Sequence, residues 1–224
     1  MYLIKNIIIG GLITICFFSC NTTPKKRADI VNEEIERITD PSYIFDGVSL
    51  DGWEITNFVS PGPVYVNKGE ILLERGEGCT GITWTGIYPV TDYQLSLDAK
   101  RIDGRDFFCG LTFPVNDEFC SLIVGGWGGS LVGLSCIDNR DASSNETATW
   151  MSFTKDQWYH ITIEVSKEKI KAMVDDQVII DFSIDNHHLS IRPEVSNNIP
   201  LGIASWNTTA ALKNIRLIRN FEKL

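Results

Sequence analysis

Residues 158–182, WYHITIEVSKEKIKAMVDDQVIIDF, decide the fold. Tyr159, Ile161, Ile163 and Val165 alternate with His160, Thr162, Glu164 and Ser166, a period of two that puts one set on a core face and the other on a polar face. That pattern predicts a half-buried β-strand. After the polar turn Lys167-Glu168-Lys169, Ile170 to Val174 reads as a second strand, Asp175-Asp176-Gln177 as a tight turn and Val178 to Phe182 as a third. Such an antiparallel meander cannot stand alone in water, so a second sheet or a helix must cover its apolar side.

Outward from this meander the same period recurs. In Tyr93 to Ile102, Tyr93, Leu95, Leu97 and Ala99 share a core face while Gln94, Ser96, Asp98 and Lys100 point away from it. Val64 to Glu74 reads as two strands around a turn at Lys68-Gly69. Phe107 to Phe113 and Phe119 to Val124 continue the sheet, and Gly110 inside a strand marks a bulge or a close approach. Pro200 to Asn207 and Ala211 to Ile218 supply the last strands. The 224 residues leave room for one sizeable β-domain and little else. We assign 1–19 to a targeting segment, 20–40 to a tether with a short amphipathic helix, and 41–224 to the domain.

A net charge of −9, with no basic cluster longer than Lys25-Lys26-Arg27, argues against nucleic acid as a partner. Lys5, the apolar run Ile7 to Phe18 and then Ser19-Cys20 resemble a bacterial lipoprotein leader, with cleavage before Cys20 and acylation of its thiol. Lipid on Cys20 would hold the domain at the cell envelope, most simply the outer membrane; the alternative is an uncleaved anchor or an ordinary signal peptide. Cys79, Cys109, Cys120 and Cys136 then lie where disulfides can form. A hairpin turning near Asn116-Asp117 sets Cys109 and Cys120 diagonally, so buried unpaired thiols are expected. No C-x-x-C spacing supports a zinc site.

Several residues are candidates for chemistry. Gly125-Gly126-Trp127-Gly128-Gly129 leaves Trp127 with little local cover, so its ring either stacks on a sugar or folds back onto the core. Trp206 is a further stacking candidate, and Trp84 reads equally as a stacking platform or as core packing. Arg101, Asp103, Arg105 and Asp106 cluster in RIDGRD at a strand end, and a rim salt-bridge network explains such a cluster as well as catalysis does. The loop 135–150 carries Asp138, Asn139, Arg140, Asp141, Asn145 and Glu146, without the spacing of an EF-hand. His187-His188 reads as an exposed loop pair.

Two resemblances sharpen this reading. The 158–182 pattern is similar to the closing half of the concanavalin A-like jelly roll, which implies an all-β, two-sheet antiparallel sandwich. Residues 42–53, SYIFDGVSLDGW, resemble the opening signature of the 3-keto-disaccharide (3-keto-glycoside) hydrolase domain, first catalogued as DUF1080: an apolar pair, Asp-Gly, a small linker, then Leu-x-Gly-Trp. The resemblance implies that C2 proton abstraction beside a C3 ketone expels the aglycone, after which water adds. The partner is then an oxidised glycoside or oligosaccharide. This route needs a base, for which Asp103, Glu146 and His160 are candidates. It also needs an electrophile on the enolate oxygen, either Arg101 or Arg105 or a divalent metal. Trp127, Trp84, Trp206 and Asn145 would bind the sugar. Where common members read Asn-Ser-Gly-Ile, this chain has Phe108-Cys109-Gly110-Leu111, so no role carries over at that strand. The alternative reading is a non-catalytic carbohydrate-binding surface lipoprotein, and a third is an adhesion subunit.

Overall fold

The structure, a computed structural model, describes residues 40–220. The expected lipidation site Cys20, the tether and its helix lie outside the described residues.

The described chain forms strands β1 (Trp53–Ile55), β2 (Val64–Asn67), β3 (Glu70–Leu73), β4 (Cys79–Trp84), β5 (Tyr93–Gly104), β6 (Cys109–Val115), β7 (Glu118–Gly126) and β8 (Leu131–Ser135). There follow β9 (Thr149–Trp150), β10 (Tyr159–Val165), β11 (Lys169–Val174), β12 (Gln177–Ser183), a 3-10 turn (Pro193–Asn198), β13 (Gly202–Trp206) and β14 (Thr208–Arg219). They make two antiparallel seven-stranded sheets, β12-β11-β10-β5-β14-β3-β2 and β1-β4-β13-β6-β7-β8-β9. The meander is one edge of the first sheet, hydrogen-bonded to the long strand β5 with Ile161 opposite Leu97 and Ile163 opposite Leu95. The expected all-β sandwich is the observed one.

Alternation drives the stacking. Leu95, Leu97, Ile161, Ile163 and Leu212 of the first sheet meet Leu111, Phe113, Leu122, Val124 and Ile203 of the second in one buried cluster. Tyr93, also buried, stitches the layers by donating its hydroxyl to the Pro114 carbonyl at 2.6 Å, which satisfies a polar group that burial would otherwise penalise. The turn at Lys68-Gly69 has both residues at positive φ (51° and 81°), as a two-residue hairpin requires. Cys79, Cys109, Cys120 and Cys136 are buried free thiols, as expected. Cys120 stands opposite Phe113 and Cys109 opposite Val124, and burial pushes the Cys109 and Cys120 thiols up to about 12.

The opening segment is a compact knot. Asp46 accepts from the N–H groups of Val48 (2.7 Å) and Ser49 (2.9 Å), closing the Asp-Gly turn, and Trp53 donates its indole N–H to the Ile44 carbonyl at 2.7 Å. Gly52 has φ of 80°, and a Cβ there would lie 2.5 Å from the Trp84 ring. The Leu-x-Gly-Trp spacing therefore serves packing at this end of the sandwich.

The second sheet departs from simple alternation. Every residue of β6 and β8 is buried, because this sheet is covered on both faces. Its outer face carries a second cluster, Cys79, Phe107, Ile123, Leu131 and Ala204 from the sheet region with Phe58, Ala142 and Val195 from covering segments.

Candidate active-site cleft

Register fixes what the outer face presents, because directly opposed antiparallel residues project to the same side. One row across five strands reads Gly81, Ala204, Gly110, Ile123, Gly133. Its small residues let other groups press onto the sheet: a Cβ on Gly110 would meet the Phe107 ring at 2.8 Å, and one on Gly133 the Ala142 carbonyl oxygen at 2.8 Å. Gly110 thus marks a close approach, with β6 and β7 in unbroken register there. The neighbouring row pairs Cys79 with Trp206 at one end and runs Gly126, Leu131, Trp150 at the other.

Where the covering segments part, a cleft of about 270 Å³ opens, lined by Asp106, Phe107, Ile123, Trp127, Asp141, Arg192, Glu194 and Trp206. Phe107 and Trp206 form its apolar wall, with ring centroids 6.5 Å apart and planes tilted by 34°. Trp127 rises from the β7–β8 turn with φ of 46° and 38 % of its surface exposed. Its ring lines the cleft and is not folded into the core.

The Trp127 turn is held from below. Arg101 donates to the Phe153 carbonyl at 2.8 Å and to the Gly129 carbonyl at 3.3 Å, and its guanidinium lies 5.9 Å from the Phe108 ring centroid. Arg101 is thus a positioning residue for the turn.

Charge is concentrated at the rim. Arg192 makes a two-point contact with Glu194 (2.7 and 3.3 Å) and reaches Asp141 at 3.2 Å. The hydrogen bond from Arg192 holds the Glu194 carboxyl below its usual range. Asp106 behaves oppositely: burial pushes its carboxyl up, outweighing the N–H groups of Phe107 and Trp127 and the charge of Arg101. Its Oδ1 accepts from the Phe107 N–H at 2.8 Å. Asp106 also borders a second hollow of about 470 Å³, with Arg75, Asp103, Gly104, Arg105, Gly128 and Asn207. It therefore stands on the ridge between two hollows. Among the described residues no three His, Cys, Asp or Glu side chains are grouped to hold a metal ion.

The profile of the 3-keto-alpha-glucoside-1,2-lyase-like domain matches residues 40–218. The chain belongs to this family. Membership supports a carbohydrate-related activity or binding for the chain. No curated protein matches the chain. Among solved structures, the Crh5 transglycosylase superposes with a TM-score of 0.54 at 14 % identity, covering 76 % of this chain and 80 % of that one. A Bacillus subtilis protein of unknown function with a galectin-like fold gives 0.54 at 9 % identity, covering 76 % and 90 %. The Emp46p carbohydrate recognition domain gives 0.52 at 10 % identity, covering 78 % and 90 %. At these identities the likeness is one of fold.

This lyase-like domain distributes the residues singled out in the sequence unevenly. Trp127 and Trp206 meet in the cleft; Asp103 and Arg105 line the second hollow, where Asp103 pairs with Lys155 at 3.5 Å. Trp84 lies elsewhere, packed 5.3 Å from Trp53, with its indole N–H on the Ile87 carbonyl. Asn145 is buried and spends its amide on the carbonyls of Leu134, Arg140 and Asp141, a staple for its loop. Glu146 pairs with Arg140 at 3.1 Å, outside the cleft lining. His187 and His188, read as an exposed pair, contact Asp138 and Glu118 and tie their loop to the 135–150 loop and to the start of β7. Arg192, Glu194 and Phe107 were not singled out as site residues. The signal for Arg192 is the Pro after it, which holds the preceding residue extended; Arg192 has φ −70° and ψ 146°.

His160 lies on the far sheet, its Nδ1 2.7 Å from Asp98. The hydrogen bond to Asp98 raises its pKa against the effect of burial, and Asp175 and Asp176 add attraction. Burial pushes Asp98 up, but hydrogen bonds from His160 and Asn214 and the charges of His160 and Lys213 leave it lowered. The contribution of His160 to stability is full below its unfolded pKa of about 6.5 and is lost as pH rises through the higher folded value. That of Asp98 is present above its unfolded value and is lost as pH falls through the lower folded one. The melting temperature should therefore drop between about pH 6 and about pH 9 by more in the wild type than in His160→Ala. Equal drops by calorimetry would remove this pair from the stability account.

Proposed function

We propose that the cleft cleaves 3-keto-glycosides, with Asp106 as the base. The observation that carries the reading is a carboxyl raised by burial, standing between two hollows and beside the rings of Trp127 and Trp206. A pyranose stacks its C–H face on an indole, bringing C2 to Asp106. Asp106 takes the C2 proton while the electron pair left on C2 delocalises onto the C3 ketone oxygen. Arg105, in the adjoining hollow and without an ion pair among the described residues, supplies the cation for that oxygen. The enolate then expels the aglycone from C1, and the C1–C2 double bond forms. Water adds its oxygen at C1 and its proton ends on the expelled aglycone oxygen; Asp106, its proton exchanged with solvent, protonates C2, so the net change is hydrolysis. The carboxylates of Asp141 and Glu194 occupy Arg192, which leaves the cleft acidic and suited to neutral sugars.

A second reading, binding without turnover, is favoured by one observation: the Asp106 carboxylate already accepts main-chain N–H groups, as a purely structural aspartate does. Incubation with a chromogenic 3-keto-glucoside separates the two. Release of the aglycone supports the enzyme; glycan binding by calorimetry with no release supports the binding module.

A further inference from the structure

We infer that Trp150 is a remote sugar-stacking platform and that the substrate is an oligosaccharide whose aglycone side extends across β8 to it; the direction rests on the function proposed above. Trp150 is 60 % exposed, far more than an indole held only for packing. Register gives its direction. Leu131 of β8 stands directly opposite Trp150 of β9 and, on its other side, opposite Gly126 of β7. Leu131 belongs to the outer-face cluster with Phe107 and Ile123 of the cleft, so Trp150 projects to the cleft side of its sheet.

The placement also fits a chain of sugar rings. Trp206 on β13 and Trp150 on β9 lie at the two ends of one stretch of sheet, four strand spacings apart, or roughly 19 Å at about 4.8 Å per strand. Trp127 stands between them on the turn leaving Gly126. That turn is pinned to the Trp150 segment, because the Met151 N–H donates to the Ser130 carbonyl at 2.9 Å. Nothing lies within 4 Å of a Cβ built on Gly128, so the turn top is open. β9 is a two-residue edge strand; packing alone does not call for so large an exposed ring there.

The test compares wild type, Trp150→Ala and Trp150→Phe on a chromogenic 3-keto-glucoside and on 3-keto-terminated gluco-oligosaccharides of increasing length. We expect kcat/KM of the wild type to rise with length, Trp150→Ala to lose about fivefold to tenfold on the long substrates alone, and Trp150→Phe to retain most of the gain. An unchanged long-to-short ratio in Trp150→Ala, or equal losses on both, overturns the platform. Should the wild type turn over none of these, the catalytic reading fails separately, and calorimetry with unoxidised gluco-, manno-, xylo- and galacto-oligosaccharides decides the platform. Weaker binding by Trp150→Ala supports it; equal binding, or no binding by the wild type, overturns it.

Discussion

Asp106→Asn should lower kcat on a 3-keto-glucoside by about 10² to 10⁴, the range a positioned general base contributes, while sugar affinity changes little. The amide keeps one acceptor oxygen for the Phe107 N–H, so the ridge survives in outline. Its NH₂ group cannot accept a second N–H, and a modest fall in melting temperature should accompany the loss of activity. The wild-type pH profile gives an independent readout. Because burial raises the Asp106 carboxyl, the acid limb of kcat/KM should fall through a pH above the ordinary aspartate value of 3.8 and be absent from the residual activity of Asp106→Asn. If Asp106→Asn instead weakens binding and leaves kcat intact, Asp106 merely props up the Trp127 turn.

Phe108→Ala should destabilise the domain by roughly 3–5 kcal/mol, as large-to-small aromatic truncations in cores do. Phe108 is fully buried, edge-on to Phe153 at 5.1 Å and 6.0 Å from Tyr159, so it ties the second sheet to the meander strand β10. A Cβ on Gly125 would lie 2.8 Å from its ring, and Arg101 lies over it. The truncation should therefore also loosen the turn that carries Trp127 and raise KM. Chemical denaturation with an activity assay checks both effects. A loss below about 1 kcal/mol would mean the pocket collapses around the smaller residue.

The sheets were legible because one face of each strand in 158–182 and 93–102 is wet, and alternation survives only under that condition. The second sheet was harder to read. In Phe107-Phe108 two adjacent aromatics must point to opposite faces, which signals a strand covered on both sides, and a continuous apolar run carries no period to say which side holds a cleft. Trp127 stood out by its flanking glycines and Trp206 was a further stacking candidate; the fold brings both into the lining of one cleft. Asp106 was visible within RIDGRD, but Asp103 was the one named as a candidate base; only the fold half-buries the first and leaves the second exposed beside Lys155. His160 looked available in sequence because its polar face is wet, yet that face belongs to the other sheet. Asn145 looked like a rim ligand, whereas the loop needs its amide internally.

The most direct test uses a 3-keto-glucoside carrying deuterium at C2. Proton abstraction from C2 predicts slower aglycone release than from the protio substrate and a sugar product whose C2 deuterium has been replaced from solvent. Product retaining all of its C2 deuterium, released at an unchanged rate, would contradict the account.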